Sequence, residues 1–206
     1  MLLHIHPKDP QSRHIKTVVD CLKSGGVIIY PTDTIYGLGC DIYNVEAIDR
    51  ICRIKNIDPK KAQFSFVCND LSHISDYAKS IDTPVFRTLK KSLPGPYTFI
   101  LEASKMVPKM LKTKKDTVGI RVPDHKISQE IVKQLGNPIM SVSLPMEDEV
   151  EYFTDPLLIH EIFEDRVDIV VDGGHGGTTP STVIDFSNGE PELIREGAGE
   201  WEKILG

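Results

Sequence analysis

The sequence predicts an α/β fold, a twisted mixed parallel/antiparallel sheet with flanking helices. Apolar runs of strand length alternate along the chain with segments whose apolar residues recur at helical spacing. Some strand candidates are separated by a helix, whereas others follow one another through a tight turn such as Asn188-Gly189. No internal repeat or low-complexity linker interrupts residues 1–206, which are read as a single domain.

Asp9-Pro10 reads as an N-cap and first helical residue, and Ile15, Val18, Val19 and Leu22 then line one helical face. Gly25 ends that helix. Val27–Tyr30 is a buried strand that stops at Pro31, which cannot continue a sheet ladder. Asn44 caps a second helix with Ile48, Ile51 and Ile54 on one side. Phe64–Cys68 is a strand, Asp70 opens a short helix, and Thr83-Pro84 starts another that ends before Leu93-Pro94-Gly95-Pro96. Tyr97–Glu102 is a strand, followed by a lysine-rich connection to Lys115. Val118–Val122 is a strand ending at Pro123, Ser128 to Leu135 a helix stopped by Gly136, and Ile139–Val142 a short strand. Thr154-Asp155-Pro156 starts a helix through Phe163, and Val167–Val171 is a strand leading into a glycine-rich segment. Thr182–Asp185 and Glu192–Arg195 close the sheet as a hairpin.

Composition is that of an ordinary globular protein, 40% hydrophobic and 26% charged. No apolar run approaches the roughly 20 residues that span a bilayer, and the first ten residues lack the pattern of a signal peptide, so a cytoplasmic protein without membrane contact is expected. Cys21, Cys40, Cys52 and Cys68 match no zinc or redox spacing and read as buried thiols. The net charge of -6 is unevenly placed. Residues 1–146 hold 21 Lys/Arg against 14 Asp/Glu, whereas residues 147–206 hold 3 against 16. A basic larger part suits an anionic ligand.

No P-loop, dinucleotide fingerprint or nucleophile elbow occurs. The segment Gly173–Gly177 could aim backbone N–H groups at phosphate or be a plain turn. Polar groups instead gather just past the strand Val27–Tyr30, at Thr32, Asp33, Thr34 and Tyr36, where open α/β sheets build ligand pockets. Arg121 and Arg195 each end an apolar strand, a position from which a guanidinium grips a carboxylate or phosphate, or makes a structural salt bridge. Lys55 sits at a helix end, favoured there by the dipole. The hydroxyls of Ser141, Ser143 and Ser181 read equally as ligand donors or turn residues. Lys105, Lys109, Lys112, Lys114 and Lys115 form a basic stretch, either a solvated loop or a contact for RNA phosphates.

Several of these pieces resemble one family in order and spacing: Tyr30 to Gly39, Lys55, Pro94-Gly95-Pro96-Tyr97-Thr98, Gly119-Ile120-Arg121-Val122-Pro123, Pro180-Ser181-Thr182-Val183-Ile184-Asp185 and Ile194-Arg195-Glu196-Gly197. They are similar to the YrdC-like family, whose characterised members are threonylcarbamoyl-AMP synthases, over about residues 11 to 200. Arg50 to Ile54, Phe66 to Ser72 and Tyr97 to Leu101 resemble its YciO branch. The resemblance implies a sheet around a large basic cavity and a reaction of L-threonine, bicarbonate and ATP, with Mg2+ accompanying the ATP. It implies threonine contacts at Thr32, Tyr36, Arg121 and Ser181, with Arg121 on a carboxyl group. It places Lys55, Ser141, Ser143 and Arg195 at the nucleotide, with Thr98 nearby.

Two positions depart from the family pattern. Its K-x-R motif is Lys55-Asn56-Ile57 here, and its S-x-N motif is Ser141-Val142-Ser143. Arg53, Lys60 and Lys61 are the neighbouring candidates to replace the missing charge. Besides a synthase, weakened or diverged, two alternatives follow: a double-stranded RNA or tRNA binder without turnover, and a hydrolase or transferase of a related acyl-adenylate.

Overall fold

The computed structural model describes residues 1–58, 64–112, 115–144 and 153–205. Lys60, Lys61 and Lys114 lie outside the described residues. Among the described residues ten strands form one mixed sheet: β1 (Leu2–His4), β2 (Ile28–Tyr30), β3 (Gly37–Asp41), β4 (Ser65–Val67), β5 (Tyr97–Glu102), β6 (Thr117–Arg121), β7 (Ile139–Ser143), β8 (Ile169–Asp172), β9 (Thr182–Asp185) and β10 (Glu192–Arg195). Their order across the sheet is β1-β8-β2-β3-β7-β4-β6-β5-β9-β10. β1/β8, β2/β8, β4/β6 and β5/β9 are parallel, and the other neighbours are antiparallel.

The helices are α1 (Ser12–Lys23), α2 (Val45–Lys55), α3 (Leu71–Tyr77), α4 (Thr83–Ser92), α5 (Lys126–Leu135), α6 (Pro156–Phe163) and α7 (Glu202–Leu205), with a 3-10 turn at Lys109–Leu111. Short polar side chains begin several of them. Asn44 accepts from the Ala47 N–H, Asp70 from His73, Asp82 from Val85 and Asp155 from Leu157.

Alternation along the strands separates two cores. Ile28, Tyr30, Ile169, Val171 and Ile139 pack with α1 and α5, burying Ile15, Val18, Leu22, Ile127, Ile131 and Leu135. Ile29, Val170, Met140, Phe66, Phe99, Ile120 and Ile184 point to the other face, among Ile48, Ile51, Ile74, Leu89, Ile159 and Phe163.

The structure corrects the sequence reading at two strands and one cap. α1 starts at Ser12 with Gln11 at its cap position, not at Asp9-Pro10. The Asp9 N–H donates to His6 Nδ1 and the His6 N–H to Gln11 Oε1, each at 3.1 Å, so residues 6–11 form a braced turn ahead of the helix. β1 was not anticipated; it is three residues long and is completed only by β8. β3 was not anticipated either. It pairs with β2 and β7, so residues 31–36 are a hairpin loop rather than an open strand end. Gly37 and Gly39 disguise it, and both are required by close packing: a Cβ on Gly39 would lie 2.6 Å from Ile139 Cγ2, and one on Gly37 3.0 Å from Ser141 Oγ.

Candidate functional site

The face that carries α1 and α5 changes character along β7. Ile139 is under the helices, but Ser141 and Ser143, two and four residues on and so on the same face, line a cavity of about 570 Å3. That volume lies within the roughly 300–1,000 Å3 usual for small-molecule pockets. The cavity floor is the sheet surface itself. Ser65 and Val67 of β4, Thr98 and Ile100 of β5, Thr117, Gly119 and Arg121 of β6, and Val183 and Asp185 of β9 contribute at the strand period of two. The hairpin loop adds Thr32 and Tyr36, the end of α2 adds Lys55 and Ile57, and β10 adds Arg195.

The nine side chains that the resemblance implies at threonine or the nucleotide all line this one cavity, namely Thr32, Tyr36, Lys55, Thr98, Arg121, Ser141, Ser143, Ser181 and Arg195, whereas Asp33 and Thr34 of the polar loop are not among the lining residues. The nine occupy the face of the sheet as well as its strand ends, Ser141 and Ser143 of β7, Thr98 of β5 and Arg121 of β6 all lining the cavity.

The loop 31–36 is held from within and from below. Thr32 Oγ1 donates to the Ile35 carbonyl at 2.7 Å and accepts from the Thr34 N–H at 3.1 Å. Arg121 Nη2 donates to Asp33 Oδ1, to Thr34 Oγ1 at 2.7 Å and to Thr32 Oγ1 at 3.3 Å. Arg121 therefore makes the structural ion pair, with Asp33, that was one of its two sequence readings. Tyr36 donates its hydroxyl proton to the Gly174 carbonyl at 2.7 Å and accepts from the Gly173 N–H at 3.3 Å. Burial drives the Tyr36 phenol pKa far up, so it stays protonated.

The glycine segment is a brace and not a phosphate cradle. The N–H groups of Gly173, Gly174, Gly176 and Gly177 donate to Tyr36 Oη, Asp172 Oδ1, the Thr154 carbonyl and the Thr34 carbonyl. No free donor of these four remains for an anion.

On the opposite wall, Thr98 Oγ1 and Ser181 Oγ lie 2.8 Å apart, and Arg195 Nη2 and Nε donate to the Ser181 carbonyl at 2.8 and 3.3 Å. Burial, and then the charge of Arg121, lower the Arg195 pKa. The two guanidinium groups therefore feel each other across the cavity. Lys55 is half-buried and has its pKa lowered by burial. Tyr30 donates to Ser141 Oγ at 2.8 Å, and burial pushes its own pKa up to about 12. Ser141 is thus fixed from beneath.

Lys55, Lys115, Arg121, Arg195 and Asp185 are the charged side chains among the described lining residues. No group of three His, Cys, Asp or Glu side chains that could hold a metal ion occurs among the described residues. Asp185 already accepts the Ser187 N–H at 2.7 Å. In the lysine-rich connection, Lys112 lies 3.9 Å from Asp116, and Lys115 is at the cavity. The four cysteines are free thiols, and no described helix is long and apolar enough to cross a membrane.

A family model for Sua5, YciO and YrdC proteins, described as telomere recombination, matches residues 20–197. YciO of Escherichia coli is 41% identical over 203 residues, covering 98% of each chain. The chain belongs to the Sua5/YciO/YrdC family. A threonylcarbamoyl-AMP synthase of Coxiella burnetii is 30% identical over 183 residues, 88% of this chain and 97% of that one. The crystal structure of E. coli YciO superposes with a TM-score of 0.93 at 40% identity, covering 100% of this chain and 99% of that one. P. abyssi Sua5 complexed with L-threonine superposes at 0.90 with 26% identity, covering 100% of this chain and 61% of that one. The expected mixed sheet with flanking helices is therefore the family fold.

Both departures from the family pattern stand in the wall of the cavity: Ile57 and Ser143 line it directly. Of the candidate replacements for the missing charge, Arg53 is not among the lining residues, its Nε donating to the Asp49 carbonyl at 3.4 Å. Sequence reasoning missed the residues that hold the site residues in place, namely Asp33 under Arg121 and Tyr30 under Ser141. Both lie in the stretch that drew attention first, but their partners are 88 and 111 residues away.

Proposed function

We propose that the chain is a nucleotidyltransferase of the threonylcarbamoyl-AMP synthase type, joining L-threonine, bicarbonate and ATP into threonylcarbamoyl-AMP and pyrophosphate for tRNA threonylcarbamoyladenosine formation. The observation that carries this reading is the convergence of nine hydroxyl and cationic residues, drawn from seven chain segments, on one cavity. The threonine-bound state of P. abyssi Sua5, a family member of the same fold, supports the amino-acid half.

The reaction needs no covalent protein nucleophile. Bicarbonate takes up a proton and loses water to give carbon dioxide, the threonine amine adds to it and releases a proton to form a carbamate, and the carbamate oxygen attacks the α-phosphorus of ATP while the bond to pyrophosphate breaks. Two anions must be brought together and aligned, which is work for fixed cations and hydroxyls. In this reading Arg121, Thr32, Tyr36 and Ser181 hold threonine. Lys55, Ser141, Ser143 and Arg195 hold the nucleotide beside Thr98, all of them lining the same cavity. Magnesium enters as part of the Mg-ATP substrate.

The test is pyrophosphate release by the purified protein. Release should require L-threonine, bicarbonate and Mg-ATP together, and its absence at saturating substrates would overturn the reading. One observation favours a second reading. Ile57 puts an apolar wall beside Lys55, which suits an acyl-adenylate with a single phosphate better than a triphosphate. Decay of added threonylcarbamoyl-AMP, faster than in buffer and without pyrophosphate synthesis, would select that reading.

A further inference from the structure

The register of the sheet gives the cavity two ends. Ser65 of β4 pairs with Ser141 of β7 and with Gly119 of β6. β7 runs antiparallel to β4 and β6 parallel to it, so two residues onward along β7 and two residues back along β6 lead the same way across the floor. Ser143 and Thr117 therefore share one end of the cavity, about 10 Å apart over two strand spacings. Lys115 stands two residues outside Thr117 and is exposed at the mouth. The opposite end holds Arg121, with Thr98 facing it from β5 and Arg195 joined to Thr98 through Ser181.

The chain holds Lys115 at that mouth. Asp116, the next residue, adopts the left-handed conformation with φ 53°, and its carbonyl accepts the Ala103 N–H at 2.8 Å. The last turn of the lysine-rich connection is thereby fastened to the end of β5. Charge at the two ends differs. Arg121 is paired with Asp33, and the Arg195 fork donates to the Ser181 carbonyl. At the other end Ser143 replaces the asparagine of the family pattern, and in the wall beside Lys55 Ile57 replaces its arginine. Arg53 is not in the wall, whereas Lys115 is. Asp185, the carboxylate among the described lining residues, belongs to the row of Gly119 and Ile100 and turns one oxygen to the Ser187 N–H.

We propose that Lys115 contacts the β- and γ-phosphates of a nucleoside triphosphate, supplying from the start of β6 the charge that the family pattern supplies from the position of Ile57. This deepens the proposed function, on which it rests for the nucleotide as ligand. An ammonium on a flexible stem neutralises phosphate as a point charge, without the planar fork of a guanidinium. The replacement therefore restores charge and not bidentate geometry. A nucleoside monophosphate lacks the phosphates that Lys115 serves, so the contact discriminates by phosphate number.

The experiment is calorimetric titration of the full chain with two probes, AMP and the magnesium complex of α,β-methylene-ATP, in which the bond broken by the reaction is replaced. Lys115→Ala should weaken the triphosphate analogue about tenfold, the scale of one charge-assisted hydrogen bond, and leave AMP within about twofold. Lys115→Arg should keep the affinity of the analogue within about threefold of wild type. Lys105→Ala, which removes the same charge from an exposed residue outside the cavity wall, should leave both probes within about twofold. Thermal unfolding of each variant reports whether it is folded. An unchanged affinity of the analogue in Lys115→Ala overturns the proposal, and so does an equal loss of both probes. A loss as large in Lys105→Ala also overturns it, since the lysine would then act only through the overall field. Wild-type protein that binds AMP but not the analogue, or neither, overturns it without any variant. A Lys115-dependent preference for the triphosphate in a protein that releases no pyrophosphate would sustain this assignment and sink only the synthase reading.

Discussion

Thr98 Oγ1 and Ser181 Oγ lie 2.8 Å apart across the β5/β9 seam, and the carbonyl of Ser181 is also the anchor for the Arg195 fork. The serine thus ties Thr98 on the floor of the cavity to the Arg195 guanidinium. Thr98→Val and Ser181→Ala should each cost about 1 kcal/mol of stability, and the double variant little more than either alone. Urea unfolding of the four proteins gives the coupling; full additivity would mean that the two hydroxyls do not share a bond.

The brace over loop 31–36 admits a sharper test. A Cβ on Gly177 would collide with the Thr34 carbonyl oxygen, to which the Gly177 N–H already donates at 2.7 Å. Both partners are backbone, so neither can rotate away. Gly177→Ala should cost about 1–3 kcal/mol and weaken threonine binding, because the loop carrying Thr32 and Tyr36 must shift. An unchanged melting temperature would show that the two loops are not mutually supporting.

Much of this arrangement was legible beforehand because chemistry sits at strand ends with local signals. Arg121 and Arg195 close apolar runs, and Asn44, Asp70 and Asp155 announce helices through bonds to their own first turns. What stayed hidden was pairing over distance. β3 reads as a loop because glycine is a poor strand former; its glycines make sense only once the Tyr30 ring and Ile139 are seen packed against them. The Asp33–Arg121 pair spans 88 residues, and neither residue's neighbours encode it.

Lys55 supplies a pH dependence with a defined sign. Burial lowers its pKa in the free protein, and a bound polyphosphate would favour its charged form. Nucleotide affinity should be complete below that lowered pKa and fall as pH rises through it, in a window that lies below the ordinary lysine range. Lys55→Arg, whose guanidinium does not titrate in this window, should flatten the profile. Titrating an ATP analogue across the window in both proteins checks this; parallel profiles would remove Lys55 from the nucleotide site.

Ile57 offers the most informative gain-of-motif experiment. It lines the cavity one helix end away from Lys55, at the position where the family pattern has arginine. The αL conformation of Asn56, with φ 50°, ends α2 and turns the chain so that Lys55 and Ile57 both reach the same cavity. If the proposed synthase reaction runs in this cavity, a guanidinium at position 57 adds a cation beside Lys55 for the leaving pyrophosphate, and one charge-assisted contact made in the transition state corresponds to about a tenfold to hundredfold rate gain. Ile57→Arg should therefore raise threonine- and bicarbonate-dependent pyrophosphate release by roughly tenfold, and Ser143→Asn should add to it. If the rate rises, the natural wall is what restrains the parent chemistry. If the folded variant instead gains affinity for ATP with no change in turnover, the cation meets ground state and transition state alike, and Ile57 is not the residue that limits the reaction.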